Sequence, residues 1–401
     1  MVPNSEIRFI DTPHGLAALC DDLRGCDVLA LDTEFIRERS YAPRLELVQV
    51  ASRDGVVAAI DYGRLGRMDS DPFVALLRDP AILKVFHAAE QDLEVLSALT
   101  GELMPSMFDT QLAAGLVGYG AKPGYGALVE AVLKIKLPKG ESMTDWSLRP
   151  LTEAQLTYAL DDVRHLLAVY DRVKAALSQA GRLEWAEQEC TKLVSAVAAQ
   201  QQARENPETL YTRVRGKGAL DSSGLCVLRE LAMWRESEAQ RRDRPRGSIL
   251  KDEMLVEIAR RSPKRAQQLR NLRGIQPRDL DRYGDELVDL VTRALARPRA
   301  EYPLAEPPSP PPDEATLALA DLLQAVTHTV AAESGIAASL LATNGDLQRL
   351  AEAYRRGESL SLSFLEGWRG SLLGERLRAI LEGRSALGWD PKSHTLRLLT
   401  V

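Results

Sequence analysis

The stretch LALDTEFIRERSYAPRLELVQV, residues 29–50, carries two carboxylates at the end of an apolar run. Asp32 and Glu34 lie two positions apart, so on a β-strand their side chains share one face. Neighbouring carboxylates repel each other, and burial adds a desolvation cost to their charged forms. The pattern therefore predicts a positive partner at the end of this strand. That partner is either a basic side chain, as in a salt-bridged sheet rim, or a metal ion.

Length and composition point to a globular protein of several domains. The chain has 401 residues, of which 45% are hydrophobic and 27% charged. It shows no secretory signal pattern and no uncharged apolar run long enough to cross a bilayer, so we predict a cytoplasmic protein with no membrane partner. Four scattered cysteines lack metal-site spacing and indicate reduced thiols.

Charge is distributed unevenly along the chain. The net charge of −6 divides into about −10 for residues 1–210, about +8 for 211–300 and about −4 for 301–401. An acidic part joined to a basic part suggests that carboxylates bind metal in the first and cations bind phosphate in the second.

Residues 1–205 alternate strand and helix patterns. Three strands separated only by short turns predict an antiparallel meander, and strand–helix alternation follows it, so we expect a mixed sheet with helices packed on it. The predicted strands are 27–35, 45–52, 55–62 and 83–89, and the predicted helices are 91–100, 109–118, 124–134, 153–178 and 180–205.

The remainder of the chain is predicted to be helical up to its last few residues. LRELAMW from Leu228 matches LADLLQA from Leu319, and two further segments repeat at an offset near 90 residues, which indicates a duplicated small helical domain. The predicted boundaries are 211–298 for the first copy, 299–313 for a proline-rich linker, 314–390 for the second copy and 391–401 for a C-terminal tail.

Further candidate residues lie on the predicted helices. Asp92 and Asp109 stand at helix starts, where acids commonly cap the helix or interact with its dipole. Tyr158 and Asp162 are spaced i, i+4 and share one helix face, whereas Asp161 points about 100° away and cannot join the same site. An i, i+4 pair of this kind is commonly only a local contact. We interpret Asp109 as a cap.

Taken together, Asp32, Glu34, Asp92 and Asp162, with Tyr158 four residues before the last acid, resemble the DEDDy branch of the DEDD 3′–5′ exonucleases. The histidine branch would place histidine where Thr157 stands. Longer stretches narrow the resemblance to the bacterial ribonuclease D family, whose helicase-and-RNase-D C-terminal (HRDC) domains the helical repeats resemble. These stretches are residues 31–51, VFHAAEQDLEVL at 85–96 and KGESMTDWSLRPLTEAQLTYALDDVRHLL at 139–167.

The resemblance implies an RNase H-like α/β exonuclease domain with a mixed sheet, followed by two all-α HRDC-like domains. It also implies that Asp32, Glu34, Asp92 and Asp162 bind two divalent metal ions, Mg²⁺ or Mn²⁺. Hard cations prefer such oxygen ligands, and a metal pair suits in-line displacement at phosphorus. Tyr158 would orient the attacking water, because a phenol with a pKa of about 10 is a poor base at neutral pH.

The implied activity is trimming of RNA 3′ ends with release of nucleoside 5′-monophosphates. The implied partner is RNA with a single-stranded 3′ end, tRNA precursors being the usual substrate of the family, and no obligate protein partner is evident. One alternative is a 3′–5′ DNA exonuclease, against which the helical repeats and the lack of a polymerase region count. A more distant alternative is an inactive nucleic-acid-binding module, which the complete set of acids disfavours.

Substrate contacts are predicted at two places besides the acids. Near the site, Phe35 is a candidate for stacking on the terminal base or for ordinary core packing, and the loop before the Tyr158 helix offers Lys139, Trp146 and Arg149. In the basic first repeat, arginines surround the helix-breaking Pro245, which suits phosphate contact or a solvated turn. These are Arg241, Arg242, Arg244 and Arg246. The second repeat lacks them, so we assign it a packing role.

Overall fold

The computed structural model describes residues 7–138, 144–270, 272, 277–305, 311–358 and 363–401. Its first domain is built on a six-stranded mixed sheet of order β1-β4-β3-β2-β5-β6. The strands are β1 Ile7–Ile10, β2 Val28–Ile36, β3 Arg44–Ser52, β4 Val57–Asp61, β5 Leu83–Phe86 and β6 Met107–Asp109.

Strand pairing confirms the predicted meander. β2, β3 and β4 pair antiparallel in chain order, and Asp32 stands opposite Gln49 in that register. β1 and β6 were not predicted; they are edge strands of four and three residues that pair parallel to β4 and β5. Strands this short carry too few residues to show an alternating pattern.

Helices cover both faces of the sheet. Leu29, Leu31 and Val48 face the layer that contains α1, α3, α4 and α9, whereas Ala30 and Ala51 face α5, α6 and α8. The helices are α1 Pro13–Asp22, α2 Tyr62–Leu65, α3 Pro72–Arg78, α4 Glu90–Thr100, α5 Thr110–Gly115, α6 Tyr125–Leu133, α7 Glu153–Arg164, α8 Leu166–Gln179 and α9 Leu183–Glu205.

The predicted single helix over 153–178 is two helices. His165 has φ −104° and ψ −3°, which ends α7 and starts α8 in a new direction. No proline or glycine marks this break in the sequence, so the pattern alone reads as one helix.

The first helical domain has a hydrophobic core of its own. Leu228, Leu255 and Leu287 are fully or almost fully buried within it. Two 3₁₀ turns, Pro207–Arg213 and Lys217–Ala219, precede its helices. These are α10 Ser222–Arg242, α11 Arg246–Ile249, α12 Asp252–Arg261, α13 Ala266–Leu269 and α14 Pro277–Leu295.

A second helical unit follows a linker that contains the 3₁₀ turn Arg299–Glu301 and continues through residues 306–310, which lie outside the described part of the chain. Its helices are α15 Glu314–Ser334, α16 Ala338–Leu341, α17 Asn344–Arg355, α18 Gly367–Arg369 and α19 Glu375–Leu381, with a 3₁₀ turn at Ser363–Leu365 and a π-helical turn at Gly370–Gly374.

The second helical unit packs on the exonuclease domain, and the two share one core. Leu323, Val326 and Val330 of α15 belong to the cluster that also contains the α5–α6–α8 side of the sheet. By length and composition α15 could span a membrane, with 39% of its most apolar window buried. Core helices pass the same test, and these three residues of α15 lie in the shared core.

Specific polar and aromatic contacts join the second unit to α9. Trp185 and Trp368 stack with ring centroids 5.1 Å apart. Glu189 accepts two hydrogen bonds of 2.6 Å from the Arg369 guanidinium and one of 3.0 Å from the Trp368 indole. The second unit is therefore attached to the exonuclease domain by apolar, aromatic and charged contacts.

The chain ends in a β-hairpin. β7 Ser385–Asp390 pairs antiparallel with β8 Thr395–Thr400. The predicted boundary at residue 390 falls inside this hairpin, because the apolar residues near the C-terminus pair with a strand that the sequence pattern assigned to the preceding domain.

Candidate active site

Three carboxylates converge beside the C-terminal half of β2, two strand residues short of its end. Asp32 and Glu34 lie on the face of the sheet that faces α7, and α7 supplies Asp162. Ligand oxygens of the three residues lie within 4.8 Å of one another. A cavity of about 300 Å³ opens above them. It is lined by Asp32, Thr33, Glu34, Phe35, His87, Ala88, Gln91, Asp92, Tyr125, Tyr158, Asp162 and Leu166.

Local sequence fixes the start of the helix that carries Asp162. Thr152 caps α7 by accepting a hydrogen bond from the Gln155 amide, and the Gln155 side chain accepts one from the Thr152 amide. This reciprocal capping box holds the first turn of α7. Two turns later Tyr158 and Asp162 project from one face into the cavity.

Asp92 reaches the cavity from the opposite face of the sheet. It lies in the first turn of α4, and its carboxylate accepts a hydrogen bond of 2.5 Å from the Thr33 hydroxyl. Because Thr33 alternates with Asp32 and Glu34 along β2, its side chain turns to the α4 side. The C-terminal half of β2 therefore brings together acids from both helical layers.

Burial raises the pKa of all four carboxyls, and the charges of nearby carboxylates add to this effect. Burial, followed by the charges of Asp162 and Asp92, raises the pKa of Glu34 to about 8. Burial and neighbouring carboxylates raise the pKa of Asp162 to about 7, and burial raises that of Asp92 to about 7 against the hydrogen bond from Thr33. The pKa of Asp32 is well above its usual range, first through burial and then through the other three acids.

No cation among the described residues offsets this charge. None of the four acids forms an ion pair within the part of the chain that the structure describes. Three acids outside the cavity are paired with arginines: Glu94 with Arg37, Asp61 with Arg149 and Asp161 with Arg164. The described residues therefore give no support to a salt-bridged rim at Asp32 and Glu34, and oxygen donors of this kind fit hard divalent cations.

Tyr158 is half-buried at the cavity wall. Burial, and then the charges of Asp162, Glu34 and Asp32, raise the pKa of its hydroxyl above the usual value. Its ring stacks on Trp146, with centroids 6.3 Å apart at an interplanar angle of 28°. The tyrosine hydroxyl is therefore neutral at physiological pH, and the Trp146 ring packs against the tyrosine ring.

The cap interpretation of Asp109 is confirmed. Its carboxylate accepts hydrogen bonds from the amides of Gln111 and Leu112 at the start of α5 and from those of Ala88 and Ala89 before α4. One buried carboxylate thus fixes two helix starts. Asp161 pairs with Arg164 and points away from the cavity, as the helical geometry predicts.

Two polar residues of this site were not predicted. The Gln49 amide is fully buried opposite Asp32 and finds no hydrogen-bond partner among the described residues. The buried Tyr125 hydroxyl on the cavity wall also lacks one there. The polar Gln49 within the apolar run LVQV could have indicated a residue of the site. The glycine-rich sequence around Tyr125 gives no such indication.

The other candidates near the site occupy different places. Phe35 lines the cavity, with the Arg37 guanidinium 5.3 Å from its ring centre. Trp146 is only 3% exposed and packs behind Tyr158, a position that does not support direct substrate contact. Arg149 binds Asp61 through two bonds of 2.6 Å. Lys139 lies outside the described residues.

Most of the predicted arginine group is engaged within its own domain. Arg241 and Arg242 both bind Glu238, and Arg246 binds Glu236 while lying over the Tyr41 ring. Arg244 is exposed and forms no ion pair with a described residue.

Comparisons with known proteins agree with this geometry. Residues 7–178 match the 3′–5′ exonuclease family, and residues 225–291 match the HRDC domain. The chain is 38% identical over 387 residues to ribonuclease D of Gluconacetobacter diazotrophicus, covering 95% of this chain and 94% of that one. The chain belongs to the ribonuclease D family. Ribonuclease D of Pseudomonas paraeruginosa is also 38% identical, covering 94% of this chain and 98% of that protein.

A solved structure extends the likeness to the whole fold. The crystal structure of Escherichia coli RNase D, described as an exoribonuclease involved in structured RNA processing, superposes with a TM-score of 0.81 at 30% identity. It covers 94% of this chain and 99% of that one. The protein is thus a 3′–5′ exoribonuclease with an exonuclease domain on a mixed sheet and a mostly helical C-terminal region that contains an HRDC domain. The DNA exonuclease and inactive-module alternatives are set aside.

Proposed function

We propose that this ribonuclease D trims RNA 3′ ends with two divalent metal ions held by Asp32, Glu34, Asp92 and Asp162. The observation that carries the proposal is the convergence of these acids, all with raised pKa values, on one cavity without a described cationic partner. Carboxylates in this state gain most from a divalent cation, because it replaces repulsion by coordination.

The bound ions would supply a nucleophilic water at neutral pH and stabilise charge on the attacking and leaving oxygens. Burial, and then the charges of Asp162 and Glu34, raise the pKa of the Tyr158 hydroxyl and keep it neutral. A neutral phenol donates and accepts hydrogen bonds but removes protons poorly. Tyr158 therefore positions the attacking water, and Trp146 fixes the ring that does so. The product is a nucleoside 5′-monophosphate.

Substrate and setting follow from the family. We assign RNA with a single-stranded 3′ end as the substrate, tRNA precursors as its physiological class and the cytoplasm as its location. Phe35 lines the cavity, which supports its assignment as a stacking partner for the terminal base.

We also propose that the second helical unit is HRDC-like. A 21-residue helix, a four-residue turn and a shorter amphipathic helix follow one another in both units, as α10–α11–α12 and as α15–α16–α17. Its role is to pack against the exonuclease domain.

The test follows product formation from RNA and DNA strands of matched sequence, each with a free 3′ hydroxyl. RNA should be shortened from its 3′ end to 5′-monophosphates in Mg²⁺ or Mn²⁺, chelator should abolish turnover, and re-added metal should restore it. Zn²⁺ should substitute poorly, because the described residues that line the cavity include no sulfur ligand. Full activity in excess chelator contradicts the metal assignment. Equal or faster degradation of DNA contradicts the assigned substrate.

A further inference from the structure

A groove leads from the acidic cavity toward the first helical domain. The cavity shares Gln91 with a neighbouring depression of about 200 Å³. That depression shares Arg37 and Arg204 with a larger one of about 540 Å³. The larger one in turn shares Arg204 and Arg246 with a cleft of about 440 Å³ between α9 and the first helical domain. Surfaces of both domains are therefore continuous from the acids to this cleft.

The cleft at the far end of the groove is strongly basic, and we call it the cationic cleft. Six cations and three acids line it, around an apolar floor formed by Leu210 and Ala232. The cations are Arg204, Arg213, Arg215, Arg235, Arg246 and Lys251, and the acids are Glu236, Asp252 and Glu253.

Internal ion pairs use up only part of this positive charge. Glu236 accepts a hydrogen bond of 2.6 Å from Arg246, and Asp252 accepts one of 2.7 Å from Arg235. Arg204 binds Glu94, which belongs to the groove rather than to the cleft.

Three cations of the cleft take no part in these ion pairs. Arg213, Arg215 and Lys251 are exposed, and none forms an ion pair with a residue that the structure describes. Glu253 is the one acid of the lining for which the described contacts show no cation. The cleft therefore carries a surplus of positive charge with its guanidinium and ammonium groups open to solvent.

Like charges face one another across the cleft. Partial burial and the guanidiniums of Arg204 and Arg246 hold the pKa of Arg213 below its usual value. An anion entering the cleft would relieve this repulsion.

The ion pairs determine which cations of the first helical domain are free to bind an anion. Arg241 and Arg242 are committed to Glu238, so the group around Pro245 contributes mainly Arg246 to the cleft. The free cations instead lie at the end of the 3₁₀ turn Pro207–Arg213, two residues after it, and immediately before α12. The sequence pattern did not single them out.

We propose that the cationic cleft binds backbone phosphates of the RNA strand upstream of the nucleotide held at the acidic cavity. The inference rests on the proposed placement of the RNA 3′ end among Asp32, Glu34, Asp92 and Asp162. Guanidinium groups suit phosphate because of their planar, forked donors. The cleft would increase the affinity for long RNA substrates without changing the rate of hydrolysis at the 3′ end.

The experiment compares substrates of different length in the full-length protein. The triple variant Arg213→Ala/Arg215→Ala/Lys251→Ala should hydrolyse a ribodinucleotide with wild-type kcat and KM, because a dinucleotide in the cavity does not extend to the cleft. Its affinity for RNA of about 15–20 nucleotides, measured without metal, should fall. The slope of log affinity against log salt should flatten by roughly 0.7 for each lost phosphate contact, about 1.4 to 2.1 for two or three contacts.

Two further variants control for net charge and for folding. Lys264→Ala/Arg270→Ala/Arg293→Ala removes three exposed cations of the same domain that do not line the cleft, and it should keep the wild-type slope. The variant Arg213→Lys/Arg215→Lys keeps the charge and should keep most of the slope.

Wild-type affinity and slope in the cleft variant would overturn the inference, and so would an equal loss in the control variant. Loss of dinucleotide hydrolysis in the folded cleft variant would also contradict it. Failure of wild-type protein to hydrolyse the dinucleotide, by contrast, would count against the proposed placement of the 3′ end.

Discussion

At the scale of single residues, the acidic cavity couples pH to stability. The pKa values of Glu34, Asp92 and Asp162, about 8, 7 and 7, lie above those of an unfolded chain, near 4. Groups with raised pKa values stabilise the fold below the unfolded value, and this contribution is lost as pH rises through the folded value.

We therefore expect the Tm of metal-free protein to fall as the pH rises from about 5 to about 9. Added Mg²⁺ should raise Tm more at the alkaline end, because metal binding requires deprotonated ligands. Thermal melts with and without metal measure both effects. Asp162→Asn removes one ionisable group and should show a smaller fall; an identical pH profile in that variant contradicts the assigned cause.

The variant Tyr158→Phe tests whether the Tyr158 hydroxyl positions the attacking water without contributing to RNA binding. The ring keeps its stacking on Trp146 and loses only the hydroxyl, so we expect kcat to fall up to about 100-fold while RNA affinity stays near wild type. Steady-state kinetics together with metal-free RNA binding make the measurement. A variant with unchanged kcat excludes the hydroxyl from the reaction.

The resemblance to the DEDD exonucleases, rather than spacing, grouped the acids of the cavity into one site. Sequence spacing predicted that Asp32 and Glu34 share one face of a strand and that Tyr158 and Asp162 share one face of a helix. It also predicted the cap at Asp109. It could not predict that Arg149 binds Asp61, 88 positions away, or that Glu238 takes up two of the four arginines near Pro245. Such partners meet only through tertiary packing.

At the scale of elements, helix α9 connects the catalytic sheet to the second helical unit. The Glu189 and Arg369 side chains are 10% and 15% exposed, and their hydrogen bonds are bidentate. Removing one member of such a pair leaves a charge largely buried without its partner.

We expect Arg369→Ala to lower the free energy of unfolding by about 3 kcal/mol or more. Arg378→Ala is the matched control, because Arg378 and its partner Glu375 are 58% and 62% exposed, and it should change stability by less than about 1 kcal/mol. Denaturant unfolding measures both. Equal losses in the free energy of unfolding would show that the Glu189–Arg369 pair stabilises the protein no more than an exposed ion pair does.

Long elements with clear periodicity were predicted well, and short ones were not. The β2–β3–β4 meander has five to nine residues per strand, enough to show apolar runs between turns. The edge strands and the break at His165 depend on neighbouring layers rather than on local pattern. The C-terminal hairpin is exposed along much of β8, which weakens its signal further.

At the scale of the whole molecule, the two helical units serve the exonuclease domain differently. The first presents open cations beside the groove, whereas the second buries apolar residues in a core shared with the sheet. Deleting residues 301–401 would therefore uncover Trp185 and the α5–α6 surface, and the effect on RNA binding could not be separated from damage to the fold. The sequence repeat predicts a duplicated helical domain, but it could not predict this docking, because docking depends on surfaces of the first domain.

We propose that Asp162, and not its neighbour Asp161, belongs to a metal-binding catalytic site. The direct test measures Mn²⁺ binding by calorimetry and RNA 3′-end hydrolysis for Asp161→Asn and Asp162→Asn side by side. Asp161→Asn should bind Mn²⁺ and cleave RNA nearly as wild type does, whereas Asp162→Asn should lose most of its Mn²⁺ binding and nearly all turnover. An active Asp162→Asn protein with wild-type Mn²⁺ affinity would contradict the account.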